Sequence, residues 1–97
     1  MITEDFLMDC YKRAERALSE CIADPGNRHL GGELKTSWER VRTVHSSIVM
    51  SFVGSDHATL SLQTRIDLVS DDGTSLGYYR LDEDRFGNIL DDFLVFE

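Results

Sequence analysis

The stretch LSLQTRIDL, residues 60–68, changes character at every step. Leu60, Leu62, Thr64, Ile66 and Leu68 fall on one side of an extended chain, and Ser61, Gln63, Arg65 and Asp67 on the other. Successive side chains of a strand point to opposite faces, so this run has one buried and one wet face. That is the mark of an antiparallel sheet, because parallel strands are covered on both sides and read as unbroken apolar runs. Residues 58–69 are therefore predicted as one strand of an antiparallel sheet.

The neighbouring segments extend this sheet. Asp71-Asp72-Gly73 is a turn signal, followed by a predicted third strand over 75–82 through Leu76, Tyr78 and Tyr79. Arg85-Phe86-Gly87-Asn88 is a second turn, and a last strand over 89–96 ends Phe93-Leu94-Val95-Phe96. On the N-terminal side, Gly54-Ser55-Asp56 closes a long predicted strand over 38–53. Its alternation puts Val44, Ile48, Met50 and Phe52 on one face and His45, Ser47, Val49, Ser51 and Val53 on the other.

Before residue 37 the period changes from 2 to 3.6. Phe6, Leu7, Cys10, Ala14, Ala17, Leu18, Cys21 and Ile22 form a single apolar helical stripe over residues 3–23. Thr3 is the expected N-cap, Glu4 and Asp5 suit the first turn, and Asp9 and Arg13 are spaced to pair on the outer surface. Asp24-Pro25-Gly26 ends the helix, and residues 24–36 read as a connection. The expected fold is one α+β domain over residues 1–97. An N-terminal amphipathic helix packs on a four-stranded antiparallel meander, in the order α-β-β-β-β.

One helix covers one face of a sheet. The uncovered face is expected to show Val41, Val49, Val53, Val69, Tyr79 and Leu81, and a back-to-back homodimer through that outer sheet face would bury them. Cys10 and Cys21 are eleven residues apart, roughly 16 Å along a helix, beyond the reach of a disulfide. They are expected as packed thiols, which fits a reducing compartment. The first residues lack a basic segment followed by an apolar core, and no apolar run is long enough to span a membrane. The expected location is cytoplasmic.

The net charge is −8 and the pI is near 4.7. This balance argues against nucleic acid and anionic membranes as partners and favours a protein with a basic surface. Residues 1–42 hold eight acids and seven bases, whereas residues 43–97 hold ten acids and three bases. The excess is therefore C-terminal, and Asp82, Glu83, Asp84, Asp91 and Asp92 are the candidate acidic docking patch. Trp38 and Arg40, read as sharing a strand face, are a candidate hot-spot pair.

Signatures of catalysis are weak. Asp82, Asp84 and Gly87 match positions 1, 3 and 6 of a calcium loop, but Phe86 and Phe93 stand where oxygen ligands are needed. No metal or cofactor is expected, and Gly31-Gly32 lacks the spacing and lysine of a phosphate loop. His29, His45 and His57 have no ligand spacing. His45 lies beside Ser46 and Ser47, but neighbours on a strand point apart and a triad needs geometry that spacing does not provide. Glu39, His45 and Asp67 are the candidate polar lining of a pocket between helix and sheet.

These residues support three expectations. The first is a small acidic, non-enzymatic binding or inhibitory protein, of the immunity or antagonist type by size and charge. The second is a small-molecule-binding or enzymatic α+β domain with a pocket under the helix. The third is a structural homodimer.

Overall fold

A computed structural model describes residues 3–24, 38–52 and 60–97. Most of the connection over 24–36, the turn at 54–56, and His29, Val53 and His57 lie outside the described residues.

The helix α1 spans Glu4–Ala23. The Thr3 hydroxyl accepts a hydrogen bond from the Phe6 amide at 3.1 Å, satisfying one of the donors a helix start leaves open. At the other end the Asp24 amide donates to the Glu20 carbonyl. Cys10, Ala14 and Leu18 are the buried positions, spaced by four residues along one stripe.

A short 3-10 turn, Trp38–Arg40, leads into the sheet. The strands are β1 (Arg42–Phe52), β2 (Leu60–Val69), β3 (Ser75–Asp84) and β4 (Ile89–Phe96). They lie in the order β1-β2-β3-β4, with antiparallel pairing throughout. This is the expected helix on an open four-stranded antiparallel meander. The core joins Ala14 and Leu18 of the helix to Ile66 and Leu68 of β2 and to Leu76, Tyr79 and Leu81 of β3. Trp38, Val41, Leu94 and Phe96 pack around its margin.

Three bulges decide which side chains face the helix. His45 pairs with Ile66 and Ser47 with Arg65, so Ser46 is an extra residue in β1. In the same way Leu76 is extra in β3 and Leu90 is extra in β4. A bulge shifts the alternation by one. The face expected for Val44 is therefore corrected. It pairs with Asp67 on the outer side, while His45 pairs with Ile66 on the helix side beside Ile48 and Met50. Tyr79 and Leu81, expected on the outer face, are 0% and 1% exposed in the core. The strand expected from residue 38 begins at Arg42, because Trp38, Glu39 and Arg40 form the 3-10 turn.

Candidate functional site

The side of the sheet away from the helix carries a continuous array built on strand alternation. Arg65 of β2 is directly opposite Arg80 of β3, two like charges on one face. Each is balanced by an aspartate two residues along its own strand, which alternation returns to the same face. Arg65 Nε donates to Asp67 Oδ1 at 2.9 Å, and Arg80 Nε donates to Asp82 Oδ1 at 2.9 Å. The guanidinium groups also lie over aromatic rings. Arg65 is 4.1 Å from the Tyr78 ring centre, and Arg80 is 4.4 Å from that of Phe93, its partner across β3 and β4. Cation–π contact and the ion pairs fix both arginines flat on the sheet. Val44, Val49 and Val95 are exposed on the same face.

At one corner of this array lie Asp82, Asp84 and Asp91. Asp82 pairs with Asp91 across β3 and β4, and the Arg80 guanidinium beside Asp82 offsets the repulsion. The Asp84 carboxylate holds the following turn by accepting from the Phe86 amide, the Asn88 amide and the Asn88 side chain at 2.8–3.0 Å. The Asn88 side-chain bond, reinforced by these amides, holds its acidity below the usual carboxylate range.

The structure divides the five acids of the candidate docking patch between two faces. Asp82, Asp84 and Asp91 belong to the outer corner, but Glu83 and Asp92 face the helix. Glu83 is 1% exposed and binds Arg13 of α1. Asp92 accepts a hydrogen bond from the Tyr79 hydroxyl at 2.9 Å, and burial followed by this bond pushes the phenol upward. Trp38 and Arg40 share no strand face in the 3-10 turn. Trp38 instead packs its ring 5.9 Å from that of Phe96 at the end of the core.

Glu39, His45 and Asp67 do not line a common pocket. Glu39 is exposed in the 3-10 turn, Asp67 is on the outer face with Arg65, and His45 faces the helix. His45 Nε2 lies 2.7 Å from Glu15 Oε1, and its ring stacks on Tyr11 at 4.0 Å. A cleft of about 330 Å³ does lie between helix and sheet, lined by Leu18, Ile22, Trp38, Val41 and Leu68 with Glu15, Ser19 and Thr43. Among the described residues no group of three or more His, Cys, Asp or Glu is placed to hold a metal ion.

Arg65, Arg80, Tyr78 and Phe93 were not singled out by the reading of the sequence. Their signal was present as a repeated Arg-x-Asp, at Arg65–Asp67 and Arg80–Asp82, on segments already predicted as strands. Comparison with known protein families, with curated proteins and with solved structures finds no match.

Proposed function

We propose that the chain is a small acidic, non-enzymatic protein-binding or inhibitory protein of the antagonist type. Its docking surface is the outer sheet face, with Asp82, Asp84 and Asp91 at the acidic corner. The observation that carries this reading is the pair of stacks, Arg65 on Tyr78 and Arg80 on Phe93, on a face the helix does not cover. Arginine and aromatic residues are the side chains most enriched among energetic anchors of protein interfaces. Here the ion pairs hold them in place, which lowers the ordering cost of binding. The charge selects the partner. Ten acids against three bases after residue 42 fit a basic protein surface, and carboxylates at the rim raise its association rate at low salt. No described helix is long and apolar enough to cross a membrane. Action in the cytoplasm is part of the proposal.

The test is capture by the immobilised chain at low and high salt, with the complex weighed intact. Phe93→Ser and the double variant Asp82→Lys, Asp91→Lys alter the outer face, and Arg16→Glu on the exposed helix surface is the control. A partner retained by wild type and the control, lost by both outer-face variants and released by salt is the expected result. Equal capture by all four proteins overturns the proposal.

A second reading, a small-molecule-binding domain, is favoured by the cleft at Leu18, Trp38 and Val41. It predicts that apolar fragments perturb the Trp38 fluorescence. A screen that leaves this emission unchanged removes it.

A further inference from the structure

We propose that the cleft between α1 and the sheet is a site for a small organic amine, with its ammonium on Glu15 and its apolar body against Trp38. This rests on the second reading, that the cleft is a ligand site, and is independent of the partner proposed for the outer face. The cleft holds about 330 Å³, within the size range of small-molecule sites. Its floor is Leu18 of the helix and Leu68 of β2, both buried.

The cleft has two unlike ends. Tyr11 and Glu15 of the helix meet His45 of β1, and this end is polar. Thr43 stands two residues before His45 on the same face and adds a hydroxyl here. Along the helix wall Ser19 follows Glu15 by one turn, and Ile22 follows it by two. Val41 and Trp38 precede Thr43 in the chain and line the other end with Ile22, where the Trp38 ring packs on Phe96. From Glu15 to Ile22 the helix rises about 10 Å, so a polar end and an apolar end are set one small molecule apart.

Glu15 decides the charge of the ligand. His45 Nε2 lies 2.7 Å from its Oε1, and the His45 ring stacks on Tyr11 with 4° between the ring planes. The carboxylate is thus held in place before a ligand arrives, which lowers the ordering cost of binding. An ionised carboxylate accepts at two oxygens with about four lone-pair sites, so one bond to histidine leaves capacity for an ammonium. A ligand carboxylate meets like charge at this end. A neutral head group takes water from Glu15 and returns a weaker bond. An ammonium returns a charge-assisted hydrogen bond, and the hydroxyls of Ser19 and Thr43 are acceptors for its remaining protons. The apolar end then takes a ring or branched chain, with the Trp38 indole as its aromatic neighbour.

The test is a titration of the whole chain with phenethylamine, phenethyl alcohol and hydrocinnamate, which share a ring and differ in head group. The emission of Trp38, the single tryptophan, reads binding. Glu15→Gln removes the charge, and Glu20→Gln makes the same change in net charge at a helix residue that lines a different groove. Circular dichroism verifies that both variants are folded. The expected result is that the amine binds wild type and Glu20→Gln alike, and binds Glu15→Gln about tenfold more weakly or worse. The alcohol and the acid bind wild type more weakly than the amine. Alcohol or acid binding as tightly as the amine, or equal amine affinities for Glu15→Gln and Glu20→Gln, overturns the amine assignment and leaves the cleft reading standing. Trp38 emission unchanged by all three ligands removes both.

Discussion

Arg13 of the helix and Glu83 of β3, seventy positions apart in the chain, meet with Arg13 Nε 2.8 Å from Glu83 Oε2. A second, longer contact joins Arg13 Nη2 to Glu83 Oε1 at 3.4 Å, and the same nitrogen reaches Cys10 Sγ at 3.5 Å. The Glu83 side chain is 1% exposed and that of Arg13 38%, so the carboxylate is the partner that has lost its water. The bond to Glu83 raises the Arg13 guanidinium above its ordinary value. Removing Arg13 leaves a buried, unpaired carboxylate, a change that costs about 3–5 kcal/mol when both partners are buried. Partial solvation of Arg13 places Arg13→Ala below that range, at about 2–3 kcal/mol. The double variant Arg13→Met, Glu83→Leu removes both charges and is expected to lose less than Arg13→Ala alone. Urea unfolding of wild type, single and double variants checks this, and additive or larger loss in the double variant counts against it.

Thr64, at the middle of β2, is fully buried with its hydroxyl on the helix side, and Oγ1 has no hydrogen-bond partner among the described residues. It lies opposite Ile48 and Leu81, neither of which has a side-chain acceptor. A buried hydroxyl without a partner destabilises the folded state. Replacing it with an apolar group of the same shape removes that penalty. Thr64→Val is expected to stabilise the fold by about 1 kcal/mol. A rise in the urea midpoint at unchanged slope supports this, and a fall shows that the hydroxyl is satisfied in solution.

The helix was legible because local signals agree there. Thr3, the acids after it and the three-and-four spacing all predict the same element, and all act within one or two turns. β2 was legible for a related reason. It is central, and its apolar residues are those the helix covers. The bulges were not legible. Ser46, Leu76 and Leu90 are ordinary strand residues, and the extra position exists only relative to a partner strand. Reading straight through Ser46 therefore put Val44 and His45 on the wrong sides. Arg13 shows the same limit. Its neighbour at four residues, Asp9, was the expected partner by local spacing, but the bulge at Leu76 and the sheet register bring Glu83 under the helix instead. The acidic patch was misread in the same way. Composition groups Asp82, Glu83 and Asp84, and strand alternation then divides them.

Gly77 follows the β3 bulge with φ +143°, in the region that L side chains avoid, and it stands between Leu68 and Phe96 of the flanking strands. A Cβ at this position would lie 1.9 Å from the Val95 carbonyl oxygen. Relief would require β4 to separate from β3 where Tyr79 and Leu94 pair. Backbone strain and a lost ladder contact combine, and Gly77→Ala is expected to cost about 3 kcal/mol or more. Gly73, also at positive φ but with open space around it, serves as the comparison. Gly73→Ala carries the dihedral penalty alone, about 1–2 kcal/mol. Equal losses at the two sites would show that β4 moves aside without cost.

The turn between β2 and β3 is held by the Asp72 carboxylate, which accepts from the Ser70 hydroxyl and from the Thr74 amide. The Ser70 bond, followed by those from Thr74, lowers its pKa to about 2. In the unfolded chain the group titrates near 3.9. The folded value is the lower one, so the ionised form favours folding. That contribution is complete above about pH 4 and is lost as the pH falls through about 2. Ser70→Ala removes the largest cause and is expected to move the Asp72 titration back toward the ordinary carboxylate range, flattening the acid limb of stability between pH 4 and 2. Carboxyl carbon shifts followed by NMR read the titration, and thermal melts read the limb. Wild-type Asp72 titrating near 3.9, or a Ser70→Ala variant that leaves its midpoint unmoved, would show that the hydroxyl is not what holds this turn charged.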